Sequence, residues 1–112
     1  YIGYSQMDKI DSLLEVQRNN AKKWNAIILG EHKEYEPVKI RDSVIPNYWI
    51  YGLLSTNKRE VIQQFRTKGF YASGVHLPNT NYSVFGKQGS FPGVEDFTSK
   101  FIAIPSGWWV NR

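Results

Sequence analysis

Along the first quarter of the chain, Met7, Ile10, Leu14, Gln17, Ala21, Trp24 and Ile28 recur at spacings of three and four. That period places them on one stripe of a helix over residues 5–29, and Leu13 and Ile27 widen the stripe. Ser5 with Asp8 three residues on reads as an N-terminal cap, and Gly30 as the stop. A stripe sustained over about seven turns suits two arrangements equally. The helix can pair with another subunit or domain, or it can lie on a sheet of its own chain.

The pattern changes after Gly30. Residues 31–46 mix charged and small side chains with Pro37 and Pro46, which predicts a linker with a short edge strand near 38–40. Residues 48–55 are apolar on both faces, as in a strand covered from two sides. Asn57 followed by Glu60 opens a second helix, Val61, Ile62 and Phe65 face the core, and Gly69 ends it. A strand over 70–75, a loop over 77–92, a short third helix carrying Val94, Phe97 and Phe101, and a strand over 101–104 complete the series. The expected fold is α+β: a single small two-layer domain over 1–112. A long N-terminal helix (1–30) precedes a sandwich (31–112), a three- or four-stranded sheet with helices on one face. No internal repeat or low-complexity segment is present.

Composition narrows the classes. The chain has 112 residues, enough for one domain with a modest core. Four Trp and seven Tyr imply broad surfaces that are half buried, or buried against something else. There is no Cys, which excludes disulfides and thiolate metal sites and is compatible with a reducing, cytoplasmic setting. No apolar run is long enough to span a bilayer. The first residue is Tyr1, and a fragment or a processed chain is the expectation. The net charge of +4 is mild: residues 1–68 hold eleven Lys/Arg against eight Asp/Glu, and 69–112 hold three against two. With no block of like charge, the excess does not single out nucleic acid.

Chemistry concentrates in few places. His76 ends an apolar stretch, precedes Pro78, and sits near Asn79, Asn81 and Tyr82. Such a His can bond a ligand or move a proton near neutral pH, or it can simply cap a strand end. The residues alone favour the second role slightly. His32 lies in a charged stretch and reads as a surface side chain. Two scattered histidines give no metal-ligand spacing, and no Gly-x-Ser-x-Gly turn exists. Glu95 and Asp96 read as first-turn acids of a helix. Gly86, Gly89 and Gly93 lack the strand–turn–helix context of a phosphate cradle. Lys68-Gly69-Phe70 opens like an RNA-binding strand motif, but Tyr71 occupies its small-residue position and a helix end explains Gly69. Trp108 and Trp109 suit a ligand or partner platform, or a core role against the long helix.

In order along the chain, several runs resemble the C-terminal domain of the DegT/DnrJ/EryC1/StrS sugar aminotransferases, enzymes of fold type I that use pyridoxal phosphate (PLP). The first is Gly3-Tyr4-Ser5-Gln6-Met7-Asp8-Lys9-Ile10-Asp11, similar to the hand-over from the large domain to a connecting helix. Arg18-Asn19-Asn20-Ala21 follows on that helix. Tyr48-Trp49-Ile50-Tyr51, Arg59-Glu60 and Lys68-Gly69-Phe70 come next. His76-x-Pro78, Phe91-Pro92-Gly93-Val94-Glu95 and Ile102-Ala103-Ile104-Pro105 close the series.

The resemblance implies a cytoplasmic, homodimeric PLP enzyme that aminates a keto-sugar carried on a nucleotide, with an amino acid, commonly glutamate, as nitrogen donor. From the charge and hydropathy above, neither a nucleic-acid nor a membrane partner is expected. Ser73, His76, Asn81 and Tyr82 would be substrate-contacting residues. The chain departs from the commoner His-Tyr-x-Pro-Leu-His pattern: Leu77 replaces the aromatic, and Asn81 stands near the place of a second His. The Schiff-base lysine, the acid beside the pyridine nitrogen and the phosphate contacts would lie in a large domain absent from this sequence. None of the nine lysines sits in that lysine's motif, and Lys87 lacks its surroundings. The competing reading is a free-standing, non-catalytic α+β binding or regulatory module. Because the chemistry requires a desolvated lysine, the 112-residue chain mixed with PLP should give no adduct that borohydride traps on one specific lysine. A saturable adduct at a single lysine would contradict this.

Overall fold

A computed structural model describes residues 1–31, 34–86 and 89–111. The long amphipathic pattern becomes α1 (Ile2–Gln6), a 3₁₀ turn at Met7–Lys9, and α2 (Ile10–Glu31). The helix therefore begins before Ser5, whose hydroxyl donates to the Ile2 carbonyl at 2.9 Å instead of capping a terminus. It also runs one residue past Gly30. The stripe divides in two. Gln17, Ala21 and Ile28 are buried, whereas Met7 (57% exposed), Ile10 and Ile27 stay open. Only the second part of the helix meets the sheet.

That sheet is antiparallel, in the order β1 (Glu36–Pro37), β2 (Ile50–Leu54), β3 (Phe101–Pro105). Tyr51 lies opposite Ile104 and Leu53 opposite Ile102. These four side chains form one face, which Ala21 and Ile28 of α2 and Val61 and Phe65 of α3 (Lys58–Thr67) cover. Trp24, Phe65 and Phe70 meet edge to face at 5.2–6.5 Å, a favoured aromatic geometry. On the opposite face Gly52 lies against Phe101 and Val38: an added Cβ would sit 2.9 Å from the Phe101 ring. Phe101 in turn stacks on Phe97 of α4 (Pro92–Lys100), with ring centroids 4.8 Å apart.

Local signals explain the helix ends. Gly69, at φ +86°, follows α3. Its N–H bonds Arg66 O, and Phe70 N–H reaches back to Phe65 O, closing the helix in the left-handed motif that favours glycine. Asn57 stands at the N-terminus but makes no side-chain cap; its N–H instead donates to Ser55 Oγ. In α4, Glu95 accepts from the Phe91 N–H, and Asp96 pairs with Lys100 at 2.6 Å. Both acids thus serve the helix.

Two expectations shift. The edge strand foreseen near 38–40 forms at Glu36–Pro37, and the ladder extends to Val38, whose N–H bonds Gly52 O at 3.0 Å. The stretch foreseen as a strand over 70–75 makes a single bridge, Ser73 to Ala103, with both bonds formed at 2.8–3.1 Å. Val75 then takes a positive φ of 61°, which breaks the extended path and turns the chain off the sheet.

The residues after β3 return to α2. Asn20 Nδ2 donates to Gly107 O at 3.0 Å and to Ser106 O at 3.4 Å, Trp24 Nε1 donates to Pro105 O at 2.9 Å, and Ser106 Oγ donates to Gln17 O. One turn earlier, Gln17 Nε2 donates to Asn47 O at 2.9 Å and Arg18 Nε to Pro46 O at 3.3 Å. Trp109, half exposed, covers Gly107 so closely that a Cβ there would fall inside its ring.

Tyr51, buried at 2% exposure, donates its hydroxyl to Asn25 Oδ1. Burial, aided by the neighbouring Tyr48 phenol, pushes its pKa up from 10 to about 12. The unfolded chain ionises first, so this contribution is whole below pH 10 and is lost as pH rises towards 12. Unfolding free energy should therefore fall by about 1.4 kcal/mol per pH unit across that window. Tyr51→Phe should flatten this slope in urea titrations at stepped pH, and an unchanged slope would contradict the assignment.

Candidate functional site

The entry to β2 forms one wall of a cavity of about 330 Å³. Arg18 and Gln17 hold the carbonyls of Pro46 and Asn47. Tyr48 then takes a φ of 53° and stacks on Tyr51, while Trp49 N–H bonds Asn47 Oδ1 at 3.3 Å. The result sends Trp49, 54% exposed, to the cavity.

The opposite wall is the turn after the Ser73 bridge. Ser73 Oγ accepts the Val75 N–H at 3.2 Å. His76 N–H bonds Gly74 O at 2.9 Å, a three-residue turn centred on Val75. With φ positive at its centre, this is the rare and strained γ-turn. His76 and Leu77 follow, both exposed at the cavity rim. Phe97 and Phe101 complete the apolar lining. Behind the turn, Lys58 Nζ donates to Thr98 O near the end of α4 at 2.7 Å. The ammonium packs so close to Gly74 that an added Cβ would lie 2.8 Å from it. Burial lowers the Lys58 pKa from its usual value.

Of the four residues singled out from the sequence, His76 lines the cavity and Ser73 holds its turn from behind. Asn81 ends a 3₁₀ turn at Asn79–Asn81, and Tyr82 follows it; both are exposed and lie outside the lining. His32 and Lys87 fall outside the described residues. Trp49 and Val75 were not foreseen. Trp49 belongs to a run that is apolar throughout, so nothing in its pattern separates a cavity wall from a covered strand. No residue type announces a positive φ at a β-branched position. Among the described residues, no group of three or more His, Asp or Glu could hold a metal ion. Nor is any helix there long and apolar enough to cross a membrane.

No family model matches the chain, and no curated protein matches it. Solved structures do. The sugar aminotransferase CalS13 from Micromonospora echinospora superposes with a TM-score of 0.86 at 26% identity, over 97% of this chain and 30% of that one. AtS13 from Actinomadura melliaura gives 0.85 at 21% identity, over 96% and 29%. A DegT DnrJ EryC1 StrS aminotransferase from Brucella abortus gives 0.78 at 12% identity, over 96% and 29%. The fold of this chain is the fold found in DegT/DnrJ/EryC1/StrS aminotransferases. It spans about 30% of the length of the solved chains it matches.

The Lys58 amine, whose pKa burial lowers, is held by the Thr98 carbonyl and packed on Gly74. The contact is testable. Gly74→Ala should displace the ammonium and cost at most about 1.5–3 kcal/mol of stability, the scale of a hydrogen bond made by a charged group. In a Lys58→Ala background that cost should vanish in a double-mutant cycle. Additive losses would show that Lys58 and Gly74 do not interact.

Proposed function

We propose that this chain is the C-terminal domain of a PLP-dependent aminotransferase acting on nucleotide-linked keto-sugars. The observation that carries the reading is the shared fold with the sugar aminotransferase CalS13 over nearly the whole chain. The order of the motifs from Gly3 to Pro105 supports it independently. In this reading the remainder of the enzyme supplies the lysine and the cofactor site. This domain supplies a pocket wall in which His76 meets the sugar hydroxyls on a turn held by Ser73, further substrate contacts from Asn81 and Tyr82 beyond that lining, and apolar surface for packing. The enzyme is cytoplasmic and homodimeric, and takes its nitrogen from an amino acid.

His76 is the residue on which the reading turns, because it is exposed at the rim of a ligand-sized cavity. An exposed side chain contributes little to stability. A hydrogen bond from it to an uncharged substrate group is worth about 0.5–1.5 kcal/mol, up to roughly a tenfold effect. In the full-length enzyme, His76→Ala should lower sugar turnover or raise its KM by about that factor, with PLP binding and Tm unchanged. Unaltered sugar kinetics, or a large loss of stability, would return His76 to a purely structural role.

A further inference from the structure

On the helix-covered face of the sheet, α2 and α3 do not close on one another. Trp24, Ile27 and Ile28 of α2, Phe65 of α3, Tyr35 and Phe70 wall a gap of about 240 Å³. It shares no residue with the cavity between Trp49 and His76. Ile28, Tyr35 and Phe65 belong to the core, so the gap reaches the core itself. Packed interiors leave few voids larger than a water molecule, which sets this one apart.

The walls are held without help from an occupant. Trp24 spends its N–H on the Pro105 carbonyl at 2.9 Å, which fixes the ring and leaves it no donor for the gap. The left-handed turn at Gly69 reverses the chain after α3 and sets Phe70 edge to face with Trp24, ring centroids 5.2 Å apart. Phe65 meets both rings, and Tyr35 lies 5.9 Å from Phe65. Four aromatic rings thus surround the space. Such rings take another flat apolar body in offset or edge-to-face contact.

The polar groups of the lining stand on one side. They are Gln64, in α3, and Lys68, at its C-terminal cap, both exposed. Side chains four apart on a helix are neighbours, so the amide and the ammonium share one rim. Lys68 is the one charged side chain of the lining, and it makes no ion pair among the described residues. The carbonyls of Gln64, Phe65 and Arg66 at this helix end already accept the N–H groups of residues 68–70, which weakens their repulsion of an anion. Ligand sites commonly enclose roughly 300–1,000 Å³, and this smaller gap suits a body of one or two rings.

We propose that the gap is a binding site for a small aryl carboxylate. Its rings lie among Trp24, Phe65 and Phe70, and its carboxylate pairs with the Lys68 ammonium, with the Gln64 amide as second donor. The site is separate from the sugar-facing wall and does not depend on the aminotransferase reading.

Isothermal titration calorimetry on the full-length protein tests it, with 2-naphthoate as probe and 2-naphthamide as its uncharged counterpart. Naphthoate should bind about three- to fivefold tighter than naphthamide, as one ion pair at a solvent-open rim allows. Lys68→Gln should remove that preference by weakening naphthoate alone, and Lys68→Arg should keep it. Lys23→Gln, at an exposed lysine outside the lining, should change neither affinity. Ile27→Trp, which adds bulk at the exposed edge of the gap, should abolish binding of both compounds. Absence of saturable naphthoate binding, equal affinities for the two compounds, or naphthoate binding indifferent to Lys68→Gln or to Ile27→Trp would each overturn the site.

Discussion

The structure depends on a row of side-chain donors along α2 that satisfy the backbone carbonyls of two distant segments. Asn20 and Gln17 are buried, at 3% and 8% exposure, and Ser106 is wholly enclosed. Carbonyls enclosed in this way must find donors, because an unsatisfied one costs about 1–3 kcal/mol. Asn20 and Trp24 serve the carbonyls of residues 105–107, and Gln17 and Arg18 those of 46 and 47. One helix face therefore fixes both the exit of β3 and the entry of β2. No buried side-chain polar atom among the described residues is left without a partner.

The same contacts reach the cavity. By holding residues 46 and 47, α2 fixes where the chain must turn into β2, and Tyr48 absorbs the turn with a positive φ. The other wall is fixed through β3: Ala103 bridges Ser73, whose hydroxyl then takes the Val75 N–H. Trp49 and His76 thus stand on a hydrogen-bonded frame, although both side chains are exposed. That combination, a rigid frame under open side chains, suits a wall that waits for a ligand.

The elements set by local rules were legible in the sequence. The 3-4 spacing located α2, and Gly69 marked the end of α3 through a left-handed turn that the structure reproduces. The apolar run at 48–55 gave β2. What escaped were features decided by distant contacts. The single bridge at Ser73 arises because Val75 is bent off the sheet, and no residue there announces a bend. Trp49 was hidden for the opposite reason, since an apolar run cannot say which of its faces meets solvent. The series Met7, Ile10, Leu14 predicted burial that its first members lack, because periodicity defines a face without saying how far the sheet extends beneath it. The run Arg18-Asn19-Asn20-Ala21 was noticed as a resemblance. Its physical content, two donors and one small buried residue facing carbonyls and core, became visible only with the fold.

The carbonyl-holding row is tested most directly by urea denaturation, monitored by Trp fluorescence, of Asn20→Ala beside Asn19→Ala. Asn20 is buried between α2 and the Gly107 carbonyl, whereas its neighbour Asn19 is exposed on the same helix. The account predicts that Asn20→Ala loses about 2–4 kcal/mol, as two enclosed carbonyls lose their donor, while Asn19→Ala stays within about 0.5 kcal/mol of the parent. Equal and small effects at the two positions would contradict it.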